Sequence, residues 1–336
     1  MGVIREYLKL IRPYGILFIG LTPMFGALCN GTSTMVHLSL LVVIGLLGHL
    51  FVFVQNDYYD IEVDRQSTYV LHRPLTTGSL TRTQARTLYL SSFLLSILLA
   101  GAFFFSIPSL IVLLTSFLLM TLYNRYSKRI PGMEYTLGAA VFLYGLFGAL
   151  TVSDRITPLV VIISCVCFLQ WVFSVGISAN LKDVEYDTKL GIRTTPVMLG
   201  VHVEGNDLKK PMVFLFYTYM IKIIHLLVAV LPFILGYTSF MVAGYPIPLL
   251  GFCIIASILL LTTRGILTTS LKDRPRMLRY EGAHEGLALL LIPFVLLSLL
   301  MESLGEFLTV LLITALILWP LLILWFLYGK TLIPLE

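Results

Sequence analysis

Apolar runs long enough to cross a lipid bilayer recur ten times along this chain, and no other feature restricts its fold as much. A helix needs about 20 apolar residues to span the hydrocarbon core, and backbone groups in lipid must bond within their own segment. The runs lie near residues 14–30, 37–55, 86–105, 108–123, 134–152, 156–179, 212–237, 244–263, 285–301 and 306–328. Turn-forming stretches separate several of them: Asn30 to Ser33, Ser106-Ile107-Pro108 and Gly244-Tyr245-Pro246. The sequence therefore predicts an all-α polytopic membrane protein, a bundle of nine to ten transmembrane helices around a central cavity open to the cytoplasmic side. Residues 1–336 read as a single membrane domain. Only 12% of residues are charged, against roughly 25% in an average soluble domain. The first run has many successors and no cleavage site, so no removable signal peptide is expected.

If the runs alternate in direction, 21 of the 23 Lys and Arg residues fall on one side of the membrane. Arg155 alone falls on the other side, and Lys222 lies inside a run. Short loops rich in Lys and Arg mark the cytoplasmic face. A multi-pass protein of the cell membrane with both termini and its active site cytoplasmic is the expectation. The net charge of +5 thus reflects topology, so membrane lipids are expected partners and nucleic acid is not. Arg125, Arg129 and Lys189 read as anchors of this kind, and residues 272–280 as a contact with anionic lipid heads. Cys29, Cys165, Cys167 and Cys253 sit in apolar runs without metal-ligand spacing and read as packing residues.

Three connections, 56–85, 180–211 and 264–284, are long and share the cytoplasmic side in this topology. Long loops on a rigid scaffold are where function concentrates, and the first two are expected to be catalytic. Each opens on an acidic cluster at the end of an apolar run. In NDYYDIEVD, residues 56–64, Asp57, Asp60 and Asp64 are spaced i, i+3, i+7, with Asn56 beside them. In NLKDVEYD, residues 180–187, Asn180, Asp183 and Asp187 repeat that spacing. On a helix these positions share one face. Like charges so placed repel one another, more strongly where water is scarce. A divalent cation removes the conflict, and a donor set of carboxylate and amide oxygens suits Mg²⁺, which often bridges carboxylates to substrate phosphates. A phosphate site also needs cations, and Arg73 and Lys128 stand just beyond these runs.

With both clusters in view the chain resembles the UbiA superfamily of intramembrane prenyltransferases. The family's first motif, NDxxDxxxD, is matched from Asn56 to Asp64, and a following Arg-Pro-Leu by Arg73-Pro74-Leu75. Tyr123 and Lys128 resemble its Tyr–Lys motif, and residues 187–195, DTKLGIRTT, continue its second motif. The chain departs from the family at three points. Asn180 replaces a leading aspartate, as in menaquinone-type members. Tyr69-Val70-Leu71 stands where Asn-Lys-Pro is usual, and a tenth span follows the usual nine. The resemblance implies catalytic roles for Asp60, Asp64, Asp183 and Asp187. It implies diphosphate binding by Arg73, Tyr123 and Lys128. It further implies Mg²⁺ held by Asn56, Asp57, Asp60, Asp64, Asn180, Asp183 and Asp187. The implied partners are an isoprenyl diphosphate donor and a lipophilic acceptor.

The implied reaction is Mg-dependent transfer of a polyprenyl group by diphosphate ionisation and carbocation capture. An aromatic quinone precursor is the first expectation for the acceptor, and a glycerol-phosphate ether lipid the alternative. From other classes, a cation transporter would place its carboxylates at mid-membrane, and a CDP-alcohol phosphotransferase would carry a single compact acidic cluster. Of the polar residues inside runs, His49 reads as a hydrogen-bonded core residue; Lys222 and His225 read as paired with their surroundings or snorkelling, with Lys222 also a functional suspect by its position.

Overall fold

The computed structural model describes residues 2–31, 34–67, 70–205 and 207–332. Thr32, Ser33 and Tyr69, which entered the sequence reading, lie outside the described residues. Helix α1 (Gly2–Ile11) ends at Arg12-Pro13, and α2 (Ile16–Gly20) and α3 (Thr22–Cys29) complete the first span beyond a bend of 41°. Then come α4 (Met35–Asp64), the short α5 (Pro74–Thr77), α6 (Arg82–Phe103), α7 (Ile107–Tyr126) and α8 (Met133–Leu150). Helix α9 (Pro158–Phe173) passes through a π-helical turn, Ser174–Ala179, into α10 (Asn180–Lys189). The short α11 (Thr195–Met198) precedes α12 (Met212–Ile234), α13 (Ile247–Thr268) and α14 (Arg274–Val295). Helix α15 (Leu297–Leu304) is bent by 67° from α14, and α16 (Glu306–Tyr328) is the last span. Among the described residues, 8 helices are long and apolar enough to cross a membrane, and up to 10 if each bent pair counts as one span. This is an integral, multi-pass membrane protein.

Two findings amend the sequence reading. The chain is not wholly helical: β1 (His202–Glu204) and β2 (Asp207–Lys209) form an antiparallel ribbon in which Val203 faces Leu208. The acidic clusters also belong to helices rather than loops. Helix α4 runs for 30 residues without a break, about 45 Å at 1.5 Å per residue. The hydrocarbon core is only about 30 Å thick. The last turns of α4, carrying Asn56 to Asp64, therefore extend the span beyond the lipid while keeping helical geometry. The continuous rod Pro158–Lys189, of 32 residues, does the same for Asn180 to Asp187. In the third long connection α14 already begins at Arg274.

Helix α8 is the hub, packed against α3, α7 and α9. In lipid no hydrophobic force drives helices together, so close backbone contact between small residues substitutes for it. A Cβ on Gly148 would lie 1.9 Å from the Pro23 carbonyl oxygen, and one on Gly26 would lie 1.9 Å from that of Gly145. The α3–α8 crossing thus requires glycine. The last span closes onto the first: Trp319 Nε1 donates to the Pro13 carbonyl at 2.6 Å, and Arg5 to that of Leu327 at 2.6 Å.

Candidate active site

The helical extensions of α4 and α10 meet. The Tyr186 hydroxyl of α10 donates to the Val63 carbonyl of α4. Between them lies a cavity of about 200 Å³, onto which Asn56, Asp60 and Asp64 open from one side and Asn180 and Asp183 from the other. Arg73, Tyr123 and Lys128 line the same cavity. Eight of the residues singled out in the sequence thus share one wall. Apolar and aromatic lining comes from Val52, Phe53, Leu137, Trp171 and Val175, with the Phe53 and Trp171 rings 6.3 Å apart.

Asp57 and Asp187 stand apart from that wall. Asp57 accepts from Arg12 Nη2 at 2.5 Å, with Arg73 Nη1 3.5 Å away, and borders a small adjoining cavity of about 40 Å³. Its charge is met by guanidinium groups, and it does not open on the cavity shared by the other acidic residues. Asp187 is fully buried behind the wall, where it accepts from Thr194 Oγ1 at 3.1 Å and faces Lys128 Nζ at 3.9 Å. It thus stands against Lys128 and Thr194 and does not line the cavity itself. Burial works against the Lys128 ammonium, but the carboxylates of Asp60, Asp187, Asp183 and Asp64 outweigh it and raise its pKa above the ordinary lysine value.

Arg12 and Arg274 join the site although neither acidic motif points to them. Arg274 donates to Asp183 Oδ1 at 3.3 Å and to the Lys182 carbonyl at 2.8 Å, which corrects the lipid-head reading of this residue. A signal existed. The chain contains three Arg-Pro dipeptides, at Arg12, Arg73 and Arg274, and each arginine binds an acidic-motif residue: Asp57, Asp64 (at 2.9 Å) and Asp183. Proline starts a helical element with its fixed φ and disfavours α geometry in the residue before it. Arg73 is extended (φ −63°, ψ 141°) and Arg12 left-handed (φ 54°, ψ 57°), so both side chains leave the line of the helix that follows.

The turn that aims the second motif is also built by sequence. A Cβ on Gly176 would come within 2.6 Å of Glu134 Cγ, so only glycine lets the π turn approach α8 there. Glu134 in turn accepts from the Thr195 hydroxyl. π turns inside α-helices often mark functional positions. His49 is a core residue as expected, bonded to the Ile11 carbonyl at 2.9 Å and stacked on Phe53 at 4.2 Å. Lys222 does not snorkel. It is fully buried, bonded to Gln170 Oε1 at 2.8 Å, and its ammonium lies 4.1 Å over the Phe173 ring. Gln170 and Ser174 both bond Glu285, at 3.1 Å and 2.7 Å.

Long apolar helices with oxygen donors and paired cations around one cavity define a helical membrane protein equipped for an anionic, phosphate-bearing ligand. A family profile described as the UbiA prenyltransferase family matches residues 17–265, and the chain belongs to that family. A digeranylgeranylglyceryl phosphate synthase of Pyrococcus abyssi is 27% identical over 59% of this chain and 70% of its own. A 4-hydroxybenzoate octaprenyltransferase of Hydrogenovibrio crunogenus is 28% identical over 60% of this chain and 71% of its own. Among solved structures, a UbiA homologue from Archaeoglobus fulgidus bound to DMAPP and Mg²⁺ superposes with a TM-score of 0.60 at 20% identity, covering 88% of this chain and 99% of that one. An apo UbiA homologue from Aeropyrum pernix reaches 0.66 at 13% identity, covering 84% and 96%. These structures share the fold.

Proposed function

We propose that this prenyltransferase moves an isoprenyl chain from an allylic diphosphate to a lipophilic acceptor at the cavity between α4 and α10. One observation carries the reading: two acidic helix extensions, far apart in sequence, open on a single cavity that also holds Arg73 and Lys128.

The donor set at that cavity, Asn56, Asp60, Asp64, Asn180 and Asp183, is all oxygen and suits Mg²⁺. Among the described residues no three carboxylate, imidazole or thiolate groups converge on one point. When bound, Mg²⁺ would neutralise charge on the diphosphate. The allylic C–O bond breaks and the diphosphate departs with the electron pair. Arg73 and Lys128 donate hydrogen bonds to its oxygens as charge develops there. The carbon left behind is a cation, and the faces of Phe53, Tyr123 and Trp171 are the aromatic surfaces that can steady it. The apolar wall keeps water from that cation, so the acceptor captures it and then releases a proton. Asp187 fixes the Lys128 ammonium, and Arg12 and Arg274 hold Asp57 and Asp183 in place.

The cavity and both termini belong to the cytoplasmic side, a reading supported by the Lys/Arg bias of the connecting loops. An aromatic and a glycerophosphate acceptor are both named among relatives of nearly equal identity, 28% and 27%. The test supplies purified protein with geranylgeranyl diphosphate and Mg²⁺ in parallel with 4-hydroxybenzoate and with geranylgeranylglyceryl phosphate. Diphosphate release and the prenylated product are then followed by mass spectrometry. Magnesium-dependent release with one acceptor prenylated is the expected result. An inert donor under all conditions would end the proposal.

A further inference from the structure

A second cavity lies on the other flank of α4, and neither the proposed reaction nor the anchoring role of its arginines accounts for its build. It encloses about 630 Å³ between the ends of α4, α6 and α7. Arg86, Arg125 and Arg129 line it together with Tyr58, Tyr59 and Tyr89. Among the described residues these three arginines have no carboxylate in ion-pairing distance. Arg125 is stacked on the Tyr126 ring at 5.5 Å. Glu62, which also borders the cavity, is engaged by Arg82 and Arg65. Three guanidinium groups and three phenols around one opening form a site for an anion with several acceptor oxygens.

The helices beneath the cavity say what carries that anion. On α6, Arg86 heads a line of exposed leucines at Leu90, Leu94 and Leu98, each one turn further along the helix. On α7, Arg125 heads Leu118, Leu114 and Ile111, all exposed and spaced for one face. Both helices cross the membrane, so these faces meet acyl chains. A phosphate seated in the cavity would therefore have its own hydrocarbon tails running down the two stripes. Basic pockets between transmembrane helices at the interface have the chemistry to take phospholipid heads, each nearby Lys or Arg adding to the attraction. We propose that this cavity binds the phosphate of an anionic bilayer lipid as a resident, unreacted ligand. The site adjoins the catalytic one, since Asp60, Asn124 and Lys128 border both cavities. The argument uses only the membrane setting and the arginines, so it stands apart from the reading of prenyl transfer.

The test reconstitutes the protein in phosphatidylcholine nanodiscs doped with phosphatidylglycerol and counts retained lipids by native mass spectrometry. The wild type should retain phosphatidylglycerol in preference to phosphatidylcholine and release it unmodified. Each of Arg86→Ala, Arg125→Ala and Arg129→Ala should lower the preference by about fivefold, whereas Arg155→Ala, in the turn between α8 and α9, should leave it unchanged. A second arm needs no variant: phosphatidylglycerol with a photoreactive acyl chain should crosslink wild-type protein at Leu90–Leu98 and Ile111–Leu118. The proposal is overturned by any of four results. The three arginine variants keep the wild-type preference, or inorganic phosphate displaces the lipid, or the crosslinks map to other helices, or the retained lipid is recovered prenylated.

Discussion

At the scale of single residues, four carboxylates of the site pair with a cation: Asp57 with Arg12, Asp64 with Arg73, Asp183 with Arg274 and Asp187 with Lys128. Replacing Asp60 or Asp183 by Asn keeps size and hydrogen bonding but removes charge. Each change should lower turnover by at least about a hundredfold while leaving the melting temperature near that of the wild type. Turnover at wild-type rates in either variant would remove these residues from the mechanism. Lys128 allows a pH test. Its pKa is raised in the folded protein, so its charge and the stabilisation it brings are complete below the unfolded lysine value and vanish only as pH climbs through the folded one. The ratio of wild-type to Lys128→Met turnover should stay flat from about pH 7 to about pH 10 and fall beyond that. A ratio that declines from pH 8 would mean that the Lys128 pKa is lowered in the folded protein and not raised. Residue types and spacing made Asp60, Asp64, Asp183 and Lys128 legible. The pairing of Asp57 was not legible, because helical spacing shows which face a carboxylate occupies and not which cation reaches it. Its partner Arg12 is 45 residues away.

At the scale of elements, two long rods position the chemistry. The rod Pro158–Lys189 depends on the π turn, and that turn is braced on one side by Glu134 and on the other by the chain Lys222–Gln170–Glu285–Ser174. Gly176→Ala should displace the second motif and weaken the apparent affinity for Mg²⁺ several-fold, more than it lowers the melting temperature; titration of diphosphate release against Mg²⁺ measures this. Lys222→Met leaves Glu285 and Gln170 buried without their cation. We expect a loss of about 3 kcal/mol, read by thermal unfolding in neutral detergent, with part of it restored by adding Glu285→Gln. If Lys222→Met is neutral, the network does not brace the rod. The sequence marked Lys222 as unusual by its depth in an apolar run. Its partners come from α9, the π turn and α14, and no local pattern links those segments.

At the scale of the whole molecule, the fold surrounds a polar cavity with apolar helices so that an anionic head and a hydrocarbon chain can be held together. Because the helices are held by their own packing, with α8 against α3, α7 and α9, removing divalent ions should abolish diphosphate release without unfolding the protein. A chelator should shift the melting temperature by less than about 2 °C, which in a chain this long corresponds to about 1.4 kcal/mol. Unfolding on chelation would instead identify a structural ion.

The sequence by itself determined the membrane class, the ten apolar runs and the two acidic clusters, because bilayer thickness and helical period are fixed lengths that any chain must meet. It also determined that the acidic residues within each cluster share a face. Only the tertiary structure decided that the two clusters face each other, that Asp57 turns to Arg12 and Asp187 to Lys128, and that the arginines of three Arg-Pro pairs all close on the same motifs. Those outcomes depend on how helices cross and on how far each rod extends past the lipid. Contacts between segments a hundred or more residues apart set both quantities.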